Sequence, residues 1–433
     1  MSLIELKDSR LCLRNEQGIV VESPGWANIA GKDPVFGDAA RRMARLHPRQ
    51  NFNQFWHQLS LDPLQNKTKL FRHHADLAYS QLQLLLQGLA ADTPTLVAAP
   101  AHYTRAQLGV LLGVLKQTGV AVHGLVDHSL LQAASTGSPD CIVLDLQLHQ
   151  AVLIAFIVQD GVLAKVKVVQ VPGAGIVALQ DAWISAVTDA FLQQSRFDPT
   201  HSAETEQYIA DQLDTWLAAS SIQGELLLDI NHKGTSYQAL INYDQFQQRT
   251  KALFARISRE LPSLRSDTTT LHVHAAHLAL PGLAAAFPAI TAIADDAALQ
   301  VALHHRSALL RPGEALGFVT RLSLGTDKKT ATTPLMRQPT HLLHGHNAVA
   351  LPQGKLAFGT PPAGLACERV LAVAGLDGSL VLQRTPRGLT VESHGITGAR
   401  CNGAPLHNGL TLKPGDSIAF DNHDATLQLI VVE

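Results

Sequence analysis

The side chains of this sequence that are best suited to metal chemistry are its paired histidines. Its 21 histidines include the pairs His73/His74, His272/His274, His304/His305 and His344/His346. The spacing of two residues in His272/His274 would place both rings on one face of a strand, an arrangement that can begin a zinc site. Apart from Asp76, which follows His73/His74, no Asp, Glu or Cys stands at ligand spacing beside these pairs. We therefore expect no metal site.

The sequence also lacks the short motifs of several enzyme classes. It has no G-x-S-x-G nucleophile elbow, no H-E-x-x-H zinc motif and no phosphate-binding P-loop. Serine, histidine and aspartate are present, but no local pattern nominates a catalytic triad. Any chemistry must therefore come from residues that the fold brings together.

The clearest pattern of secondary structure lies in residues 94–157. Apolar runs at 95–100, 122–126, 141–146 and 151–156 alternate with one helical segment and one segment rich in small residues. This alternation is typical of α/β units with a partly parallel sheet. Residues 73–91 and 243–261 also have a helical pattern, and residues 36–59 have a helical period with a break at Pro48.

The order of these elements resembles the ATPase domain of the seventy-kilodalton heat-shock chaperones, within the actin-like ATPase superfamily. Four short stretches carry the resemblance: Pro100-Ala101-His102-Tyr103, Ala106-Gln107, Asp127-His128-Ser129 and Asp145-Leu146-Gln147-Leu148-His149. Further landmarks in register extend it over about residues 1–312: Pro24, Gly37, Ala39, Ala40, Pro48 and Phe246. The resemblance implies an α/β, two-lobed actin-like ATPase domain.

Members of that family bind Mg-ATP between the two lobes, and most of the residues they use are replaced here. The first phosphate turn corresponds to Leu6-Lys7-Asp8-Ser9-Arg10, which has no glycine, and the second has Gln147, Leu148 and His149 in place of glycines. The positions of the catalytic lysine, the catalytic glutamate and the adenosine glycine pair correspond to Trp56, His128 and Ala275-Ala276. Bulky side chains would fill the space that backbone N–H groups need to approach phosphates.

Three residues keep a type that is compatible with a nucleotide, and they are the candidate cofactor-binding residues: Asp145, Gly173 and Gly175. Asp145 is equally suited to ending a strand as a cap. Two interpretations follow. Either the nucleotide site is lost and the fold survives as a scaffold with no cofactor, or ATP or ADP with Mg²⁺ binds in an altered pose. In both cases we expect no catalytic residue and no hydrolysis by the family mechanism.

The sequence departs from the chaperones after Pro312, since too few residues remain for a peptide clamp and a lid. Residues 313–339 have the composition of a linker, and residues 340–433 have short apolar runs between Gly and Pro, which predicts a small β-sandwich. This end resembles a forkhead-associated domain through Cys401-Asn402-Gly403-Ala404-Pro405-Leu406 and Leu412-Lys413-Pro414-Gly415-Asp416-Ser417-Ile418. That resemblance makes Asn402 and Arg369 candidate partner-binding residues. Alternatively, Asn402-Gly403 forms an ordinary β-turn.

Composition limits the remaining functional classes. The chain is 46% hydrophobic and 16% charged with a net charge of −2, which predicts a packed globular protein without the basic surface of a nucleic-acid-binding protein. No apolar run is long enough to span a bilayer, no signal segment is recognisable, and the four cysteines are scattered. We therefore expect a cytoplasmic protein without membrane insertion.

The function that the sequence favours is a non-catalytic, chaperone-ATPase-like scaffold for protein–protein interaction, whose protein partner is unidentified. Two alternatives stay open. One is a chaperone-like ATPase with altered phosphate loops, and the other is an actin-like adaptor for assembly or secretion.

Overall fold

The structure is a computed structural model, and it describes residues 1–90, 93–266, 268–311, 316–324, 339–344, 347–352, 354–373, 375–385, 388–413, 415–421 and 423–430. The fold is mixed α/β with several sheets. The chain divides into two compact units, Met1–Thr326 and Asp327–Glu433.

The strands of the first unit, in chain order, are β1 (Ser2–Glu5), β2 (Leu11–Asn15), β3 (Gly18–Ser23), β4 (Ala27–Asn28), β5 (Val35–Phe36), β6 (Asn51–Phe52), β7 (Thr95–Ala99), β8 (Val122–Asp127), β9 (Asp140–Leu146), β10 (Gln150–Gln159), β11 (Val162–Pro172), β12 (Glu225–His232), β13 (Thr235–Asn242), β14 (Thr270–His274), β15 (Ile290–Ile293), β16 (Phe318–Val319) and β17 (Arg321–Ser323).

Its helices are α1 (Asp38–Arg41), α2 (His74–Leu85), α3 (Arg105–Gln117), α4 (His128–Ser135), α5 (Ile176–Ser195), α6 (Ala203–Gln223), α7 (Tyr243–Ser258), α8 (Leu283–Ala286), α9 (Ala297–His304) and α10 (Arg306–Leu309). Short 3₁₀ turns lie at Pro199–His201, Leu261–Ser263 and Ala275–His277.

The first sheet has the strand order β16-β8-β7-β1-β2-β3. Its first three strands, β1 to β3, are antiparallel to one another, and β7, β8 and β16 extend the sheet in parallel from β1. Residues that alternate along β1 face different cores. Ile4 packs with Leu82 and Leu115 of α2 and α3, whereas Leu3 packs with Leu130 of α4. Both faces are buried because helices cover them, which explains why these strands read as continuous apolar runs.

The second sheet has the order β15-β14-β9-β10-β11-β17 and repeats the plan of the first. The strands β9, β10 and β11 are antiparallel, and β14 and β15 extend the sheet in parallel from β9. One face packs against Trp183 and Phe254 of α5 and α7. The other face shares a core with the first sheet, in which Val143 and Leu3 belong to the same buried cluster. The two sheets are therefore parts of one packed unit.

The prediction of α/β units over residues 94–157 is confirmed, since β7, α3, β8, α4, β9 and β10 follow one another there. The helical prediction over residues 36–59 is wrong beyond the short helix α1. The chain turns back after Arg41 so that β6 can pair with β4, and the Asn51 side chain donates to the Ala40 carbonyl oxygen. Phe55 and Trp56 are buried without belonging to a helix. Tertiary packing has overridden the local pattern.

The strands of the second unit are β18 (His341–His344), β19 (Asn347–Ala350), β20 (Lys355–Gly359), β21 (Arg369–Leu371), β22 (Ser379–Thr385), β23 (Gly388–His394), β24 (Ala399–Cys401), β25 (Ala404–Pro405), β26 (Leu410–Leu412), β27 (Ser417–Phe420) and β28 (His423–Ile430).

They form two sheets, with the orders β19-β18-β28-β27-β24-β25 and β21-β20-β22-β23-β26. Side chains of both sheets, among them Leu342, Phe358, Val391 and Leu427, share one buried core. The unit is thus built from two sheets that pack face to face.

Much of the segment 313–339, which was predicted to be a linker, lies outside the described residues. Within it, β16 pairs with β8 and β17 pairs with β11, so both strands belong to sheets of the first unit. A search of the described helices finds none with the length and apolar character that crossing a membrane requires.

Candidate functional site

The candidate site lies where two turns of the first unit meet. The first turn, residues 6–10, joins β1 to β2, and the second turn, residues 147–149, joins β9 to β10. Each turn joins the first two strands of three consecutive antiparallel strands, β1 to β3 in the first sheet and β9 to β11 in the second. The second turn also contains Gln147, Leu148 and His149, which the resemblance assigns to a phosphate site.

A buried ion pair crosses from the first turn to the end of β9. The Lys7 Nζ atom lies 2.6 Å from Oδ1 of Asp145, and the two side chains are only 10% and 5% exposed. Burial alone would raise the pKa of Asp145, but the Lys7 ammonium outweighs it and holds that pKa at about 2. The Gln147 side-chain amide donates to the other carboxylate oxygen over 2.8 Å. Asp145 is therefore ionised and already engaged by its own chain.

A second carboxylate of the first turn binds the backbone of the second turn. The Leu148 N–H donates to Oδ1 of Asp8 over 2.9 Å, and the Ser9 hydroxyl donates to the Leu146 carbonyl oxygen over 3.2 Å. Asp8 is buried, and burial raises its pKa to about 7. A buried acidic oxygen thus occupies the backbone N–H that could otherwise approach a phosphate.

The start of helix α5 closes the same region from the other side. Gly175 is the N-cap residue. The N–H groups of Ile176 and Val177, which have no acceptor within the helix, donate to the carbonyl oxygens of Gln147 and Leu148 over 2.8 and 2.9 Å. Helix N-termini bind anions through such N–H groups. Here the carbonyl oxygens of the second turn accept these N–H groups in place of an anion.

The two candidate glycines have different local roles. A Cβ at Gly175 would lie 2.5 Å from the Gln147 and Leu148 carbonyl oxygens, so this close approach requires glycine. Gly173 has a φ of +67°, its N–H donates to the His149 carbonyl oxygen over 2.8 Å, and its own carbonyl accepts from Arg256 over 3.2 Å. The structure therefore brings Asp145 and both glycines to one turn, but each has a partner within the chain.

A network of ion pairs surrounds this contact. Arg14 is buried and pairs with Glu5 and, at 3.0 Å, with Asp295, which follows β15 of the second sheet. Arg10 and the His274 ring also pair with Asp295. Although partial burial opposes it, pairing with the two arginines lowers the pKa of Asp295 to about 2. One carboxylate of the second sheet is therefore bound to two cations of the first.

The positions that correspond to the family's other nucleotide contacts have different roles. The Trp56 indole N–H donates to Gln81 over 2.7 Å inside the core, and the His128 ring lies 3.0 Å from Glu5. Ala275 and Ala276 lie in a 3₁₀ turn and are exposed. Beside them lies a cavity of about 240 Å³, whose lining includes Lys7 and His277. Small-molecule pockets usually measure about 300–1,000 Å³.

The histidine pairs do not converge on a common centre. The His272 ring lies 2.8 Å from the Thr270 hydroxyl and 2.6 Å from that of Thr291, whereas the neighbouring His274 pairs with Asp295. His346 lies outside the described residues. Over the part of the chain that the structure describes, no group of three or more His, Cys, Asp or Glu side chains is arranged to hold a metal ion.

In the second unit the two candidate partner-binding residues lie on different sheets. Arg369 begins β21 and is exposed, whereas Asn402 follows β24 with a φ of +52°. The Asn402 side chain accepts the Ser417 N–H over 2.9 Å and donates to Asp416 over 2.8 Å. These contacts fix the turn to β27 and support the interpretation of Asn402-Gly403 as a structural turn.

Comparison with protein-family models and with curated proteins finds no significant match to this chain. Sequence reasoning identified Asp145 and the altered turns but missed the partners of Asp145 and Leu148. The adjacent charges of Lys7 and Asp8 in a short turn were the available signal, but their partners lie about 140 positions away in the sequence.

Proposed function

We propose that this protein is a non-catalytic scaffold of the actin-like, heat-shock-chaperone type, whose nucleotide cleft is closed by its own side chains and which acts through protein–protein contacts. The contact between the two turns carries the proposal. Lys7 engages the carboxylate at the end of β9, and Asp8 engages the backbone N–H of Leu148. Both groups lie where the resemblance expects phosphate and magnesium.

The arrangement of the two sheets supports the two-lobed fold. Each sheet has three antiparallel strands that are extended in parallel from the first of the three, and each carries its first hairpin turn at the candidate site. A two-lobed fold that binds a ligand between equivalent hairpins predicts this duplication. The β-sandwich of residues 340–433 would be a second interaction module, resembling a forkhead-associated domain.

The free cysteines bear on the location of the protein. Cys12, Cys141, Cys367 and Cys401 form no disulfide in the structure. Thiols of this kind stay reduced in the cytoplasm, whereas secreted domains commonly pair them. We propose that the protein works in the cytoplasm.

Steady-state ATP hydrolysis tests the non-catalytic part of the proposal. We expect the purified chain with Mg-ATP to release phosphate at the same rate as a matched Asp145→Asn variant, because Asp145 is already paired with Lys7. Turnover by the wild-type chain that Asp145→Asn abolishes would overturn the proposal.

A pulldown with the full-length chain as bait tests the scaffold part. We expect the same proteins to be captured in the presence of Mg-ATP, Mg-ADP or no nucleotide, since the cleft does not respond to nucleotide. Release of the captured proteins by ATP alone would contradict a scaffold and favour a chaperone-like cycle.

A second candidate function is a protein that binds nucleotide in an altered pose. The observation that favours it is a further cavity of about 230 Å³, which shares Ser9, Arg10, Ile176 and Gln180 with the cavity beside His277. A nucleotide held there would avoid the closed contact between the turns. In the altered-pose case Mg-ADP would raise the melting temperature of the Asp145→Asn variant as much as that of the wild type.

A further inference from the structure

A cluster of three histidines lies against the second turn, on segments that are distant in the sequence. His57 follows β6, His102 follows β7, and His149 belongs to the second turn itself. The ring centroids of His57 and His102 are 6.5 Å apart, and those of His57 and His149 are 6.1 Å apart. The cluster therefore joins two segments next to the first sheet to the turn of the second.

The cluster is built for neutral rings. The Nδ1 atom of His57 and the Nε2 atom of His102 are inaccessible to solvent and have no hydrogen-bond partner among the described residues. The other nitrogen of His102 lies 3.3 Å from the Gln147 side-chain amide, and the His149 ring lies 3.0 Å from the Asn53 carbonyl oxygen. A protonated imidazole needs partners for both nitrogens, and these contacts do not provide them.

We propose that the cluster of His57, His102 and His149 is an acid-sensitive latch, which holds the second turn against the first sheet while the rings are neutral and releases it when they are protonated. The inference uses contacts within residues 1–326 only and does not depend on the proposed scaffold role. Nucleotide binding would overturn that role and leave the latch untouched.

The charged groups that face the cluster do not favour imidazolium. Asp145, at the end of β9, is already paired with Lys7, and Lys165 of β11 adds a positive charge near His102. Asp181 of α5 faces His149 but pairs with Arg45 over 2.5 Å. Asp145 and Asp181 thus each have their own cation, and Lys165 has its own anion in Asp127, so protonated rings would mainly repel one another.

The direction of the pH response follows from these surroundings. Burial lowers the pKa of His57 and His149 and brings that of His102 to about 4, below the ordinary value of 6.5. A group whose pKa is lower in the folded state stabilises that state above its unfolded pKa and loses this contribution as the pH falls. The latch therefore holds above about pH 6.5 and weakens between pH 6.5 and 4.

Asp8 acts on the same turn with the opposite sign. Its pKa of about 7 means that its ionised form is disfavoured, so acid removes a buried charge and favours the closed turn. Asp8→Asn removes this opposing titration while keeping an oxygen that accepts the Leu148 N–H. The pH response of the histidines is therefore measured most cleanly in an Asp8→Asn background.

Hydrogen exchange of peptides covering residues 52–57 and 146–150, corrected for the intrinsic pH dependence of exchange, tests the latch. In the full-length Asp8→Asn chain we expect protection to fall at least tenfold between pH 7.5 and pH 5. A chain that also carries His57→Gln, His102→Gln and His149→Gln should change less than twofold. The matched control is His201→Gln, an exposed histidine outside the cluster, which should keep the tenfold fall.

Equal protection at both pH values in the Asp8→Asn chain would overturn the proposal, and so would the same fall in the chain with all three histidines replaced. If that chain does not fold, an NMR titration that measures the pKa of the His102 imidazole in the wild-type chain tests the latch instead. A pKa below 5 supports the latch, and a pKa near 6.5 overturns it.

Discussion

The first and second turns each join the first two of three antiparallel strands, yet the first contributes charged side chains and the second contributes backbone groups. The first turn supplies charged side chains, an ammonium from Lys7 and a carboxylate from Asp8. The second turn supplies backbone groups and follows the carboxylate of Asp145. Because these groups are complementary, the turns bind each other. Two glycine-rich turns would instead leave their N–H groups free for a ligand.

The largest effect is expected from breaking the ion pair between the turns. Lys7→Met leaves Asp145 buried without its counter-charge, which should lower the free energy of unfolding by about 3–5 kcal/mol at pH 7. Urea denaturation of the full chain, followed through the unfolding transition of the first unit, would measure this loss of stability. The pKa of Asp145 is held at about 2. Its stabilising contribution is therefore present above its unfolded pKa of about 3.9 and is lost as the pH falls through about 2.

A double variant separates the lost pair from lost packing. Lys7→Met combined with Asp145→Asn removes both charges, so it should recover more than half of the lost stability. If the double variant is as unstable as Lys7→Met alone, the pair does not close the cleft.

The next effect concerns the backbone side of the contact. A Cβ at Gly175 would meet the Gln147 and Leu148 carbonyl oxygens at 2.5 Å, so the start of α5 must shift away from the second turn. We expect Gly175→Ala to lower the free energy of unfolding by about 1–3 kcal/mol, in the range of overpacked cores. Thermal denaturation followed by circular dichroism would measure the loss.

The matched control is Gly109→Ala, a helical glycine of α3 with open space around its Cβ position. It should gain about 0.5–1 kcal/mol, because alanine is the better helix former. Equal effects at the two glycines would show that the second turn does not need its close approach to α5.

A smaller effect, of opposite sign, is expected at Asp8. Its pKa of about 7 means that the folded state carries a disfavoured charge above pH 7. Asp8→Asn should therefore raise the free energy of unfolding by about 1–2 kcal/mol at pH 8, after allowing for an amide hydrogen that gains no partner. The gain should shrink as the pH falls below 7 and vanish below about pH 4, where Asp8 is protonated in both the folded and the unfolded state. A pH-independent effect would contradict the buried titration.

The smallest effect is expected at Ser9, whose hydroxyl donates to the Leu146 carbonyl oxygen over 3.2 Å. Ser9→Ala removes one hydrogen bond between the turns and should lower the free energy of unfolding by about 0.5–1 kcal/mol. A loss of about 3 kcal/mol or more would mean that the Ser9 hydrogen bond contributes as much as the ion pair, which would contradict the ranking of these contacts.

The sequence predicted the frame of this site better than its contacts. The strands around Asp145 follow from continuous apolar runs, because β9 and most of β10 are buried on both faces. The turn at Asn402-Gly403 follows from the local preference of those residues for positive φ. These features depend on neighbouring residues, which a single sequence displays.

The contacts between the two turns could not be predicted in the same way. Lys7 and Asp145 meet only because two distant hairpins occupy equivalent places, and no local pattern encodes that pairing. The helical period after Gly37 failed for a related reason, since pairing of β6 with β4 requires the chain to turn back. Long-range pairing decided both cases.

The most direct test of the proposal that the nucleotide cleft is closed is isothermal titration calorimetry of the full-length chain with Mg-ATP and Mg-ADP at pH 7.5. The account predicts no binding heat up to millimolar nucleotide, because Lys7 is bound to Asp145, and Asp8 and the start of α5 are bound to the second turn. A dissociation constant in the micromolar range, weakened at least tenfold by Asp145→Asn, would contradict it.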